Sequence, residues 1–414
     1  MLFGRFVFHP SLFHLPAILA QICAQEKTNF FETMLNPAFI TLFSAIFAAS
    51  LGIGMVSPLM PIYSQSLGAK GIWLGAIFSG FSLARIIFMP LVGRLSDRRG
   101  RKIFITSGLL FYTVLSLGYI LSQNLTQLIA VRFLHGVASA MVVPIAMAYI
   151  GEMSPKGEEG RFLGTFNIAL FFGFGMGPLL GGVVTDRFSQ TASFLAMGGL
   201  SLVSFLAVLF FLPASEGPKS RFTGRQFSFK LLLKDRLLQG LVLFRSSYAF
   251  GRGLVVTFLP ILAISHRVNL AQIGALISST ILLNSVLQYP FGRIADRYDK
   301  KKLLLLGSGM SALMLFLIPL GDTFLKLFLM ALVLGVGGGI AMPAGTALAA
   351  VVGKRRGGMG STMGVYSMAM SAGLIFGPLT GGLIQGSLGI NQVFFLGGLI
   401  SVIGIISFYL VMVY

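Results

Sequence analysis

The sequence predicts an all-α membrane protein of twelve transmembrane helices arranged as two pseudo-symmetric six-helix bundles. Composition, the spacing of apolar runs and an internal repeat each point to it. Of the 414 residues, 55% are apolar and only 10% are charged, against about 25% charged in average soluble proteins. With a mean hydropathy of +0.88, too few polar side chains remain to cover a soluble core. That excludes a soluble enzyme, a disordered chain and a collagen-like repeat. One cysteine, Cys23, excludes a disulfide framework and a thiolate metal site. Four scattered histidines leave little for another metal, and no cofactor is implied.

Residues 1–36 read as an N-terminal extension, of which 1–33 need not be native if the start is Met34. Its apolar run from Phe6 to Ala20 is broken by His9, Pro10, His14 and Pro16. Such a run is too interrupted to span a bilayer or to act as a signal peptide. The first span, 37–62, and the second, 71–93, lead to Arg94, Arg98, Arg99, Arg101 and Lys102. The third and fourth, 103–123 and 126–150, lead to Lys156 and Arg161. After the fifth and sixth, 162–185 and 191–213, come Lys219, Arg221, Arg225, Lys230, Lys234 and Arg236. The seventh and eighth, 237–264 and 270–292, precede Arg293, Arg297 and Lys300 to Lys302. The ninth and tenth, 303–321 and 324–350, precede Lys354, Arg355 and Arg356; the eleventh and twelfth are 358–385 and 390–413. Each is long enough for the roughly 20 helical residues that cross a hydrocarbon core.

The basic residues fall on alternate connections, 21 against four (Lys70, Arg187, Arg267 and Lys326) on the others. That bias puts the basic loops and both termini on the cytoplasmic side, in a bacterial inner membrane. The net charge of +19 is thus a topology signal, and no nucleic-acid partner is expected.

Gly164, Gly173, Gly177, Pro178, Gly181 and Gly182 recur at Gly364, Gly373, Gly377, Pro378, Gly381 and Gly382, an offset of 200. Gly93, Asp97 and Arg98 recur at Gly292, Asp296 and Arg297, and Gly136 and Pro144 at Gly335 and Pro343, at an offset of 199. The expected organisation is a bundle over 37–213, a basic linker over 214–236 and a second bundle over 237–414. Parallel repeats place a substrate site between the halves near the bilayer midplane.

These residues carry a family resemblance. The segment from Gly93 through Asp97, Arg98, Gly100 and Arg101 to Lys102 resembles the motif between the second and third helices of major facilitator superfamily transporters. Gly292 to Lys301, with Asp296 and Arg297, is its degraded copy, carrying Asp299 where Gly is usual. The glycine-proline pattern of the fifth helix is similar to that of the drug and metabolite:proton antiporters in this superfamily. Arg132 and Gly136 resemble a fourth-helix motif proposed to couple protons, and Glu152, Pro155 and Arg161 fit the loop pattern after it. The resemblance covers 37–414 and implies two bundles rocking around a central cavity lined by the first, fourth, seventh and tenth helices. It also implies a cytoplasmic gate at Gly93, Asp97, Arg98, Gly100, Arg101, Asp296 and Arg297, in which Asp97 meets the start of the eleventh helix.

Read as physics, glycines four apart allow close helix approach and a proline removes a backbone hydrogen bond. Gly173, Gly177, Pro178, Gly373, Gly377 and Pro378 therefore suit either close packing or paired bends of an outer gate. Four arginines lie within spans, Arg85, Arg132, Arg245 and Arg252, and no Asp or Glu lies well within any. An ionisable residue inside a span faces a cavity or a partner, and guanidinium pairs bidentately with carboxylate or phosphate. An anionic small-molecule substrate is expected, contacted by Arg245 and Arg252 on one face of the seventh helix and by Arg132 and Arg85. Asn167, Tyr248, Asn284, Gln288, Tyr289 and Tyr366 add polar groups. For proton coupling the candidates are His135, one turn from Arg132, together with Asp97 and Glu152; a structural histidine is the rival reading of His135.

No nucleophile with a base, no paired intramembrane carboxylates and no ATP-binding loop occur, so the chain is expected not to be an enzyme. The expected function is proton-coupled export of a small organic anion by alternating access, by a monomer in the bilayer. Uptake or exchange of an anionic metabolite or siderophore-like compound is the alternative. A non-transporting sensor on the same fold is the alternative of another class.

Overall fold

The computed structural model describes residues 36–154, 159–214, 235–356 and 359–413. The expected N-terminal extension and basic linker lie outside the described residues except at their edges. The twelve spans are Pro37–Val56, Ile72–Arg99, Arg101–Leu121, Leu125–Met153, Glu159–Arg187, Gln190–Phe211, Arg236–Ser265, Leu270–Arg297, Lys300–Leu317, Phe324–Arg356, Met359–Leu388 and Ile390–Val413. All twelve are long and apolar enough to cross a membrane. Their lipid-side apolar residues are bare: Leu121 and Phe210 are each 72% exposed, which only a hydrocarbon solvent favours.

Side-chain caps start many of the helices. Asn36, Asn124, Ser189, Asp235, Asn269 and Asp299 each accept a hydrogen bond from a backbone N–H of the first turn. Such a cap satisfies a donor that the helix itself cannot, worth about 1 kcal/mol. Asp235 is buried and also pairs with Arg355, tying the start of the seventh helix to the end of the tenth.

Two expectations need correction. The first span does not run to residue 62: its helix stops at Val56, and a separate short helix, Met60–Ser66, follows. Pro58 has no N–H with which to continue the ladder, and Pro61 starts the short helix. Tyr63 anchors that helix by its hydroxyl, 2.8 Å from the Tyr119 carbonyl and 3.0 Å from that of Ser122. The motif expected as a loop is mostly helical: Gly93 to Arg99 extend the second helix, and Gly100 alone turns into the third. Gly100 sits at φ 91°, open only to a residue without Cβ. In the second copy the turn is Tyr298 and Asp299 in extended conformation, with Asp299 capping the ninth helix at 2.9 Å from the Lys301 N–H.

Packing repeats between the halves. The first helix lies on the fifth and sixth, the second on the fourth, and the third on the fourth and sixth. The seventh lies on the eleventh and twelfth, the eighth on the tenth, and the ninth on the tenth and twelfth. Between halves, the second meets the eleventh and the fifth meets the eighth. The core divides accordingly. One cluster, with Leu42, Ile105, Tyr112 and Phe166, belongs to the first half, and another, with Leu241, Phe244, Leu304 and Phe408, to the second. A third, with Met60, Leu74, Ile77, Leu254, Phe258 and Ile273, runs through both. That shared cluster lies at the end opposite the basic connections, called the far end below.

Candidate functional site

The far-end junction is built twice from the same parts. A Cβ on Gly75 of the second helix would overlap the Pro378 carbonyl on the eleventh, and one on Gly274 of the eighth would overlap the Pro178 carbonyl on the fifth. One turn further, Ser79 Oγ donates to the Ile375 carbonyl at 2.6 Å. Its counterpart Ser278 Oγ accepts from the Leu179 N–H at 2.9 Å. Each proline interrupts its own helix, and a serine from the opposite half bonds a backbone group one to three residues from it. At the rim, Asp186 Oδ2 accepts from the Ala271 N–H at 2.7 Å and Gln385 Oε1 from the Gly71 N–H at 3.2 Å. Among the described residues, the hydrogen bonds that cross between the halves are these four, all toward the far end.

The glycine-proline motif therefore divides its labour. Gly173 and Gly177 pack against Phe47, Ser50, Leu51 and Gly54 on the first helix, and Gly373 and Gly377 against Ser246, Ala249 and Phe250 on the seventh. These glycines hold each half together. Pro178 and Pro378, with Gly182 against Leu270 and Gly382 against Gly71, face the other half.

At the basic end, Arg101 is the hub. Its guanidinium reaches Asp97 at 2.7 Å and Glu152 at 2.5 Å, and donates to Ser96 Oγ at 3.0 Å. Asp97 is thus tied within its own half, with its side chain half exposed. The side chains that begin the eleventh helix, where Asp97 was expected to dock, lie outside the described residues. So do those of Arg161 and Asp296, while Gly292 and Arg297 stand in the last turns of the eighth helix.

The four span arginines fall into two pairs. In the first half, Arg132 is buried, with its guanidinium 4.8 Å from the Phe81 ring centre and 5.5 Å from that of Phe78. Arg85 shares the Phe81 ring, with its guanidinium 5.9 Å from the ring centre. His135, wholly buried, hydrogen-bonds through Nδ1 to the Tyr119 hydroxyl at 2.7 Å, and Arg132 Nη1 donates to the same hydroxyl at 3.4 Å. Rings of Phe81, Tyr112 and Tyr119 wall His135 in. His135 is thus wholly buried and enclosed by aromatic rings.

In the second half, Arg245 rests its guanidinium 4.8 Å from the Tyr366 ring centre and donates to the thioethers of Met342 and Met370, the latter at 3.0 Å. Thioether sulfur is a weak acceptor, and among the described residues no carboxylate pairs with this charge. Arg252, two turns along the same face, is exposed although the seventh helix is the most buried of the twelve. Among the described residues it makes no hydrogen bond, ion pair or ring contact. Beside it, Tyr248 and Asn284 fill the space left by Gly338, and Gln288 donates to Asn284 at 2.8 Å. Among the described residues no group of three or more His, Cys, Asp or Glu comes together as metal ligands do.

Reading the sequence missed Tyr112 and Tyr119, the two methionines under Arg245, and every far-end partner of the prolines. Gly75 with Gly274 and Ser79 with Ser278 recur at the same offset of 199 as the noted motifs, so that signal was available.

The Major Facilitator Superfamily model matches residues 42–250 and 241–414. An uncharacterised MFS-type transporter of Methanocaldococcus jannaschii is 30% identical over 371 residues, covering 87% of this chain and 95% of the relative. A multi-drug resistance efflux pump PmrA homolog of Lactococcus lactis is 28% identical, over 84% of this chain and 88% of its own. The crystal structure of a bacterial homolog of the human lysosomal transporter Spinster, inward-facing and unoccupied, superposes with a TM-score of 0.78 at 12% identity, covering 90% of this chain and 96% of that one.

Proposed function

Because the chain belongs to the Major Facilitator Superfamily and is a multi-pass membrane transporter of small molecules, we propose that it exports a small organic anion in exchange for protons, by alternating access. The observation that carries the anionic class is Arg252: an exposed, unpartnered guanidinium in the middle of a span. Arg245 lies about 10 Å away along the helix, on ligands an anion would displace. A cation at this place would meet two like charges and no intramembrane carboxylate. A carboxylate or phosphonate would instead gain charge-assisted hydrogen bonds that strengthen in a low-dielectric cavity.

Alternating access is supported by the division of contacts. The halves share a core and hydrogen bonds at the far end, and keep separate cores towards the basic end. With the basic loops cytoplasmic, this arrangement opens Arg252 to the inside, the loading state of an exporter. Efflux as the direction is supported by the name of the Lactococcus lactis relative. In this reading Asp97, Arg101 and Glu152 form the inner gate, residues 214–236 join two rocking bundles, and one chain suffices.

The test is a thermal-shift screen of the purified protein against matched anionic, neutral and cationic compounds, followed by flux in proteoliposomes under an imposed pH gradient. A stabilising anion that loses its effect in Arg245→Gln/Arg252→Gln, and whose flux follows the gradient, is the expected result. Stabilisation by lipophilic cations, unchanged in the double variant, overturns the anionic class. Exchange of one anion for another is the second reading, favoured by the lack of any carboxylate well within a span. It predicts flux driven by opposing anion and indifferent to the pH gradient.

A further inference from the structure

The seventh, eleventh and twelfth helices enclose a groove of about 350 Å³, a volume at the lower end of small-molecule sites. Counted at 1.5 Å per residue, it lies about midway along all three helices, and Leu243, Phe376 and Ile403 stand exposed around it. Two buried glycines mark where the helices touch along it. A Cβ on Gly373 would overlap the Ser246 carbonyl, and one on Gly404 would overlap the Ser247 side chain. On the seventh helix the groove is lined by Leu243, Ser246, Ser247 and Phe250, a spacing of three and four residues that gathers them on one face. Arg245 and Arg252 project from the opposite face, so the groove is separate from the anion site. A serine inside a helix commonly returns its hydroxyl to a carbonyl three or four residues back. Ser247 does so with Phe244 at 2.9 Å and Ser285 with Ile281 at 2.7 Å. Ser246 and Ser407 also line the groove, and among the described residues their hydroxyls make no hydrogen bond.

We propose that this groove binds an uncharged amphipathic molecule taken from the bilayer, a hydrocarbon chain carrying one hydroxyl or carbonyl group. Its mouth opens among lipid-facing side chains at mid-span, so whatever enters comes from the hydrocarbon. Its walls are mostly apolar, and among the described residues no charged side chain lines it, which selects against an ion. The two free hydroxyls supply the polar recognition. A hydroxyl left without a partner in an apolar medium is costly, and a hydroxyl or carbonyl on the guest satisfies it. A phospholipid does not: its ester groups stay in the interfacial region at the edge of the hydrocarbon core, and its acyl tail would leave both serines unpaired at mid-depth. The occupant bridges three helices of the second half and leaves the arginine face of the seventh helix open. The proposal rests on the membrane setting alone and stands apart from anion export.

The experiment uses the full chain in lipid nanodiscs and dodecan-1-ol bearing a photoreactive diazirine in its chain, with labelled peptides mapped by mass spectrometry. The expected result is saturable label on the segments around Leu243, Phe376 and Ile403, displaced by excess dodecan-1-ol and not by dodecane. Ser246→Ala/Ser407→Ala should weaken the saturable component about three- to tenfold, the scale of one hydrogen bond. Ala372→Phe, which places a ring in the groove, should remove it. Label spread evenly over the lipid-facing surface overturns the proposal. Equal displacement by dodecane does so as well, and makes the groove a seat for a phospholipid tail. A saturable component that the serine double variant leaves unchanged is equally fatal, and these two small substitutions decide the matter where Ala372→Phe does not fold. Displacement of the label by the anion found in the screen would merge the groove with the substrate's own path and overturn a separate site.

Discussion

At the scale of single residues, the four arginines within the spans separate by what holds them. Arg132 and Arg85 lie against Phe81, and Arg245 is parked on thioethers, but Arg252 has nothing to give up. Replacing Arg252 with Gln should therefore weaken anion binding about tenfold or more, the scale of one charge-assisted hydrogen bond. Calorimetric titration of the anion found in the screen checks this, and an unchanged Kd counts against Arg252 as a ligand. His135 behaves differently. Tyr119→Phe leaves its Nδ1 unpaired in a closed aromatic box, and should cost about 1–3 kcal/mol of stability, read as a lower unfolding temperature. His135→Gln should leave the pH dependence of flux where it was; a displaced profile would return His135 to the proton path. The sequence made Arg132 and His135 visible as neighbours because they share a helix face. Tyr119 was invisible, since only the packing of the third helix on the fourth brings it within reach. The methionines under Arg245 carry no ligand signature at all.

At the scale of helices, length and apolar runs made all twelve spans legible, and the errors fall where the backbone rather than the side chains decides. Pro58 ends the first helix inside a run that hydropathy cannot divide. The charged residues from Arg94 to Arg99 read as a loop, although cations favour the C-terminal turn of a helix and one glycine suffices to reverse the chain. Gly100→Ala should be strained by about 1–3 kcal/mol and lower the unfolding temperature. The corresponding change in the second half, Asp299→Ala, removes a cap worth about 1 kcal/mol. If Gly100→Ala melts like the wild type, the turn is not fixed by that residue. The prolines' partners give a sharper test. Gly274→Val and Gly75→Val each insert a side chain where a neighbouring carbonyl already sits, so the far end should fail to close and transport should fall with membrane abundance intact. Gly309→Val, whose Cβ meets nothing within 4 Å, is the control. Cross-linking between the fifth and eighth helix ends would show directly whether closure is lost.

At the scale of the molecule, the twofold repeat was readable from glycines and prolines, and the structure extends it to the helix contacts themselves. What the sequence could not convey is which face of each repeated element meets the opposite half, because periodicity is the same for a helix packed within its bundle and one packed across the junction. The basic-end network makes a prediction at this scale. Asp97→Asn takes one of the two carboxylates away from Arg101, and should abolish transport without reducing the protein in the membrane. Normal flux in that variant would make the network a topology anchor and nothing more. The far-end contacts have a further consequence. Gly75 and Ser79 meet the bend at Pro378 as Gly274 and Ser278 meet the bend at Pro178, so each half offers both sides of one self-complementary surface. That is the isologous geometry of a homodimer, written into a single polypeptide. A chain so joined is free to let one copy of the contact drift while the other preserves closure, an option closed to two identical subunits, where every substitution appears twice.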